Sequence, residues 1–185
     1  MKKDVSNAKD HDAPLIDRLK SGDLDALGPL YQRYGGAVRS LLVRTEPSLG
    51  REGADDLCQE VFLVFIDTLP RYTEQGRLRS WLYGIAVRKA RGWRRRTWVR
   101  RALGQQHGSA AAGVALQSER TDERLDARKK IDSLLRSLPA RQREVVMLRM
   151  IEGLSGQETA EVLGISENAV NTRLHRARQA LERET

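Results

Sequence analysis

Asn168, Asn171, Thr172, Arg173, His175 and Arg176 bring amide, hydroxyl, guanidinium and imidazole groups together in one short stretch. These are the groups that pair with base edges and phosphate oxygens. Between and beyond them, Val170, Leu174, Ala177 and Leu181 recur at spacings of four, three and four. That period makes one buried helical stripe and leaves the polar groups on the other faces. The preceding residues supply what a sharp helix–helix turn needs. Ala160 is small where two helices must approach, and Gly164 can take the positive φ that ends a helix. Ile165 can plug the turn, and Ser166 can cap the next helix. The spacing predicts a helix-turn-helix over 154–181 whose second helix fits a major groove. A helical hairpin with a merely solvated polar face is the bland alternative. The occurrence of all four turn features in order favours DNA binding.

A second constellation lies upstream. Between Arg88 and Arg101 there are eight Lys or Arg and no acid. Trp81, Trp93, Trp98 and Tyr83 are interleaved with the basic residues, and Tyr72 lies just before them. Basic groups neutralise phosphates and release counterions, while aromatic rings stack unpaired bases. The combination suits opened, single-stranded DNA. Trp81 and Tyr83 also fit a core, and for Trp81 the core reading is the stronger. For the run Arg88–Arg96 nucleic acid is the better reading, because solvated faces usually mix signs. Conversely, between Glu52 and Asp67 there are five acids and no base. Asp56, Gln59 and Glu60 share one helical face there. An ordinary solvated face is the default for that segment alone, but two patches of opposite sign suggest two partners.

The remaining composition narrows the field. A chain of 185 residues makes one ordinary domain or two small ones, and a net charge of +8 favours polyanionic partners. Cys58 is the only cysteine, so no intrachain disulfide can form, and with three scattered histidines no zinc site or other cofactor is expected. No apolar run approaches the roughly 20 residues that span a bilayer, and none follows the basic start MKK, so a secretory signal is not expected there. A cytoplasmic protein without membrane insertion is expected.

These groups need elements to hold them. The apolar spacing is helical throughout, which predicts an all-α fold. Residues 1–12 read as a disordered tail. Leu15, Ile16 and Leu19 start a short helix, and Asp23 can cap a second, with Leu24, Leu27, Tyr31, Tyr34, Val38 and Leu41 along one side. Pro29 should kink or divide that helix. Residues 47–53 read as a connection. A helix from about 54 to 69 follows, then a loop over 70–76 and a long helix from about 80. The Gly/Ala/Ser-rich segment around 103–121 reads as a flexible linker. Helices over 122–138 and 140–152 lead into the helix-turn-helix. The expectation is two small helical domains, residues 13–98 and 126–185, joined by a linker over 99–125.

The phrases DDLCQEVFLVF, GRLRSWLYGIA, LPARQREVVMLRMIEGLS and ISENAVNTRLHRARQAL, in this order, resemble an extracytoplasmic-function type sigma factor of the sigma-70 superfamily. The resemblance covers about residues 13–98 and 126–182. It implies that the first domain binds core RNA polymerase and opens the minus-ten promoter element. Asp55, Asp56, Gln59 and Glu60 would face the coiled coil of the largest polymerase subunit. Tyr72, Arg79, Trp81, Arg88, Lys89, Arg91, Arg95 and Arg96 would hold the opened non-template strand. The second domain would dock on the polymerase flap and place Ser166, Glu167, Asn168, Asn171, Thr172, Arg173, His175 and Arg176 on the minus-thirty-five element. An anti-sigma factor is left open as a further partner.

The chain departs from the family at Arg88, often Asn, and at Gly92, often Asp, so the minus-ten preference does not carry over. Thr159 replaces an aliphatic residue, and its hydroxyl needs a partner. Asn171 replaces a frequent Lys and exchanges a phosphate contact for a possible pairing with adenine. A stand-alone helix-turn-helix regulator is the alternative. It explains residues 126–185 but leaves the acidic face and the Arg/Trp helix unused. An enzyme such as a nuclease is disfavoured, since no metal cluster or nucleophile–base set emerges.

Overall fold

A computed structural model describes residues 8–73, 77–104 and 123–183. Every regular element among them is helical. In chain order the α-helices are α1 (Ala8–Lys20), α2 (Leu27–Thr45), α3 (Gly50–Thr68), α4 (Leu78–Ala102), α5 (Glu123–Ser137), α6 (Ala140–Val146), α7 (Gly156–Leu163) and α8 (Glu167–Glu182). Three short 3-10 turns join α1 to α2, α2 to α3 and α3 to the loop before α4. A π-helical turn, Met147–Ile151, extends α6.

The first half is built on α2, α3 and α4, which pack on one another, with α1 laid along α2. Leu41, Leu42, Val61, Phe65, Leu82 and Tyr83 are fully buried at its centre. Helix α4 has 25 residues and is about 37 Å long at roughly 1.5 Å per residue. Its first half carries Leu78, Leu82, Ile85, Ala86 and Ala90 into the core, and its second half carries the arginines outward. In the second half of the molecule α8 packs on both α6 and α7. The two halves touch. Helix α7 lies against α4, α5 and α6 lie against α2, and the buried apolar residues form one continuous cluster.

Several expectations need correction. Residues 8–12 are the first turns of α1 rather than a tail. Asp12 is buried there, and its carboxylate accepts from Arg33 and from the Tyr34 hydroxyl. Those partners lie over twenty residues away, beyond any local pattern. Helix α3 starts at Gly50, immediately after the Pro47–Leu49 turn, so 47–53 is not one open connection. Leu24 is exposed because it sits in the 3-10 turn ahead of α2, out of phase with that helix. The division anticipated at Pro29 falls before Leu27, which leaves the proline in the first turn, where no N–H is required. Helix α4 continues to Ala102, past the expected linker start at 99, and leaves Trp98, Val99 and Leu103 exposed. Helix α5 starts at Glu123, ahead of the expected linker end at 125; residues 105–122 of that linker lie outside the described residues, as do residues 1–7 of the expected tail.

Candidate nucleic-acid interface

The helix-turn-helix is assembled by three local devices. Ser155 caps α7: its Oγ accepts from the Glu158 N–H at 3.1 Å, and its own N–H donates to Glu158 Oε2 at 2.8 Å. This reciprocal pair is a capping box, and its S-x-x-E signature was present in the sequence. The Ser155 N–H also holds the Glu158 carboxyl below the usual carboxylate range. At the far end of α7, Gly164 has φ 65° and the Ile165 N–H reaches the Ala160 carbonyl at 3.1 Å. The left-handed glycine closes the turn. Ser166 then caps α8 by accepting from the Ala169 N–H at 3.2 Å.

Val170, Leu174 and Ala177 bury one side of α8, and Leu181 is half-buried. Ser166, Glu167, Asn168, Asn171, Thr172, His175 and Arg176 are exposed, and Arg173 is half-buried. The Thr172 hydroxyl donates to the Asn168 carbonyl at 2.9 Å. Arg173 and Arg176 line one side of a cleft of about 540 Å3, with Arg141 and, from the other half of the chain, Arg94.

Thr159, on α7, is fully buried, and its hydroxyl finds no partner among the described residues. A buried hydroxyl left unpaired costs about 1–3 kcal/mol. Thr159→Val should therefore raise stability by about 1 kcal/mol or more on the same basis. A higher urea midpoint at unchanged slope is the expected result, and a lower midpoint would show the hydroxyl to be satisfied in solution.

The basic helix is less open than its composition suggests. Arg88, Arg95 and Arg96 are exposed, and Arg79 is half-buried with its guanidinium 5.9 Å from the Tyr83 ring centroid. Tyr72 is a correction: it is buried between Phe65 and Trp81, edge-on to both, and offers no face to an incoming base. Trp81 is half-buried, packed on the core, and its indole N–H finds no partner among the described residues. Lys89 turns toward α3 and donates to Glu60 Oε2 at 2.8 Å. Arg91 Nη2 lies 2.7 Å from Glu144 Oε2, and Arg91 Nη1 donates to the Leu163 carbonyl at 3.1 Å. Glu144 is almost fully buried and also faces Arg94 Nη2 at 3.3 Å.

On the acidic face, Asp56 and Gln59 are exposed and make no side-chain hydrogen bond among the described residues. Asp55 pairs with Arg39, and Glu60 with Lys89. The face is therefore two free polar groups flanked by two anchored carboxylates. Composition overlooked a further set: Glu46, Glu144, Glu152 and Glu161. Glu46 and Glu144 meet Arg94, Glu161 meets Arg77 and Glu152 accepts from the Tyr83 hydroxyl. With that bond, burial pushes the Tyr83 phenol well above its ordinary range. The available signal was Glu144 leading directly into the apolar run Val145-Val146-Met147-Leu148.

Among the described residues no group of three His, Cys, Asp or Glu could hold a metal ion, and no helix is long and apolar enough to cross a membrane.

The chain matches the family model for sigma-70 region 2 over residues 30–100 and that for sigma-70, region 4 over residues 128–181. It is similar to the ECF RNA polymerase sigma factor SigD of Mycobacterium tuberculosis, at 37% identity over 166 residues that cover 87% of this chain and 74% of that protein. It is also similar to the RNA polymerase sigma factor CnrH of Cupriavidus metallidurans, at 33% identity over 184 residues, covering 95% and 94%. The structure of CnrH in complex with the cytosolic domain of CnrY superposes with a TM-score of 0.66 at 28% identity, covering 92% of this chain and 94% of that one.

Proposed function

The chain belongs to the sigma-70 family as an extracytoplasmic-function sigma factor that directs RNA polymerase to promoters, and from that premise we propose how its surfaces divide the work. The face of α3 bearing Asp55, Asp56, Gln59 and Glu60 meets the basic coiled coil of the largest polymerase subunit. Asp56 and Gln59 supply the open contacts, while Arg39 and Lys89 hold Asp55 and Glu60 in place. Residues 13–98 form the unit that captures the opened minus-ten strand, and residues 126–185 the unit that docks on the flap and reads the minus-thirty-five element.

Arg88, Arg95 and Arg96 are the outward cations for the single strand, with Arg79 and Trp81 at its entry. Helix α8 reads duplex through Asn168, Asn171, Thr172, Arg173, His175 and Arg176, with Ser166 and Glu167 at its start. Binding alone drives opening: stacking and phosphate contacts offset the lost base pairing. The protein needs no catalytic group or cofactor for this, and it acts in the cytoplasm. By likeness to CnrH, whose structure holds a domain of CnrY, an anti-sigma protein is a further partner.

The observation that carries this reading is a free polar pair, Asp56 and Gln59, on α3 and a free polar face on α8, in one chain with an arginine-rich α4. Run-off transcription with purified core polymerase on genomic fragments is the test. Discrete start sites that depend on this protein are expected. DNA binding by a dimer with no effect on polymerase would instead establish the stand-alone regulator.

The outward arginines make a narrower prediction. Arg95→Ala with Arg96→Ala should reduce the salt slope of single-strand binding by about 1.4, at roughly 0.7 for each phosphate contact. An unchanged slope would place these side chains off the nucleic-acid path.

A further inference from the structure

Three uncompensated cations meet between α6 and α8, which pack on each other. Arg141 on α6 and Arg173 and Arg176 on α8 line the cleft of about 540 Å3. None of the three has an ion-pair or hydrogen-bond partner among the described residues. Arg94, the fourth guanidinium there, is already held by Glu46 at 3.4 Å and Glu144 at 3.3 Å. Arginines at other helix junctions meet acids: Arg39 has Asp55, Arg44 has Asp132 and Arg77 has Glu161. No acid lines this cleft. Guanidiniums gathered without a counter-charge raise one another's free energy, and a recess of one sign concentrates counter-ions.

The same wall holds a second unsatisfied group. Gln142 lines the cleft, and its Oε1 is shut from solvent with no partner among the described residues. A buried amide left so costs free energy. A half-turn about its terminal bond puts two N–H donors where the oxygen stood, the groups from which a phosphate oxygen accepts. Arg141 and Gln142 are adjacent on α6, and Arg173 and Arg176 lie three apart on one face of α8. The donors therefore face one another from two helices of the same half, and Arg94 closes the cleft from α4. Its volume falls within the roughly 300–1,000 Å3 of small-molecule sites. A run of two or three phosphates matches three free cations in charge and bridges both helices, which a single phosphate does not.

We propose that this cleft binds a short polyphosphate, either inorganic or the phosphate tail of a nucleoside triphosphate. Arg141, Arg173 and Arg176 grip its oxygens, and the Gln142 amide donates to it. Arg173 and Arg176 are also the groups that α8 offers to duplex, so polyphosphate and duplex exclude each other. That exclusion rests on the placement of α8 on duplex DNA; the anion site does not. The supply of polyphosphate then sets how readily α8 engages its element.

The test is a calorimetric titration of the full chain with sodium tripolyphosphate at about 0.15 M salt, where loose ion pairing is screened. One equivalent should bind. Arg141→Ala should weaken binding about tenfold or more, the size of one lost charged contact. Arg71→Ala, which removes an exposed cation outside the cleft, should leave it unchanged. Gln142→Leu should weaken it about tenfold on the same basis. GTP and GMP separate the two sources: GTP equal to tripolyphosphate assigns the site to the phosphates alone, and tighter GTP assigns it to a nucleoside triphosphate. GMP should bind far more weakly than either. Duplex of mixed sequence should bind about tenfold more weakly with tripolyphosphate at about ten times its dissociation constant and ionic strength matched. Gln142→Leu should bind duplex as the parent does and lose that inhibition.

Binding of several equivalents, or equal losses in Arg141→Ala and Arg71→Ala, would reduce the cleft to diffuse surface charge and overturn the proposal. So would GMP binding as tightly as GTP, or duplex binding at full strength beside the anion. Normal duplex binding with no uptake of tripolyphosphate would give the cleft to the nucleic-acid backbone instead. If Gln142→Leu loses its helical circular dichroism, the isosteric Gln142→Glu, which sets a negative charge in the cleft, carries the same comparison. A parent that takes up one tripolyphosphate but binds no duplex would strike the placement of α8 and leave the anion site standing.

Discussion

Core RNA polymerase is expected to lose this protein when Asp56 and Glu60 are both reversed to arginine. Asp56 is exposed and without a partner among the described residues, so its replacement alters no internal contact seen in the fold. Glu60 is held by Lys89, and reversing it sets two cations against each other at the junction of α3 and α4. Breaking a hydrogen-bonded charge pair at an interface costs about 2–5 kcal/mol, so the double change should weaken capture by more than about a hundredfold. Gel filtration with core enzyme measures the capture, and circular dichroism checks the helices. Asp56→Arg alone separates the contributions, since it leaves the Lys89 pair intact. Normal affinity in the double variant would remove this face from the polymerase contact.

Replacing Arg173 and Arg176 by alanine should erase the upstream part of the promoter footprint. Each side chain that reads a base is worth about 1–3 kcal/mol, and one that meets only phosphate reduces the salt slope by about one. The two positions differ in setting. Both line the cleft shared with Arg94 and Arg141, but Arg176 is exposed on α8 whereas Arg173 is half-buried. Arg176→Ala is therefore expected to relax sequence preference more, and Arg173→Ala to alter salt dependence more. An upstream footprint unchanged in both variants would reject the placement of α8 in the groove.

Much of the fold was legible because it is written in local periodicity. The stripe Val170-Leu174-Ala177 and the inner line Leu57-Val61-Phe65 are buried as their spacing requires. Gly164 takes the left-handed conformation that its place in the turn suggested. What escaped depends on partners distant in sequence. Asp12 orders the start of α1 by reaching Arg33 and Tyr34. Tyr72 reads as a surface ring in its loop, but Phe65 and Trp81 enclose it. The basic run seemed free of acids because the relevant carboxylate, on Glu144, lies 53 positions beyond Arg91. A charge count along the chain finds neighbours in sequence, whereas a guanidinium finds neighbours in space.

Cys58 is 1% exposed, with its Sγ 3.5 Å from the Gly35 carbonyl at the seam of α2 and α3, and burial pushes its thiol above the ordinary range. A maleimide can reach that sulfur only when the seam parts. Its alkylation rate in the native buffer thus clocks the breathing of the first helical bundle from an intrinsic reporter, with nothing engineered. Because the same sulfur is silent while the bundle is shut, cysteines placed on the surface can carry fluorophores without competition from it.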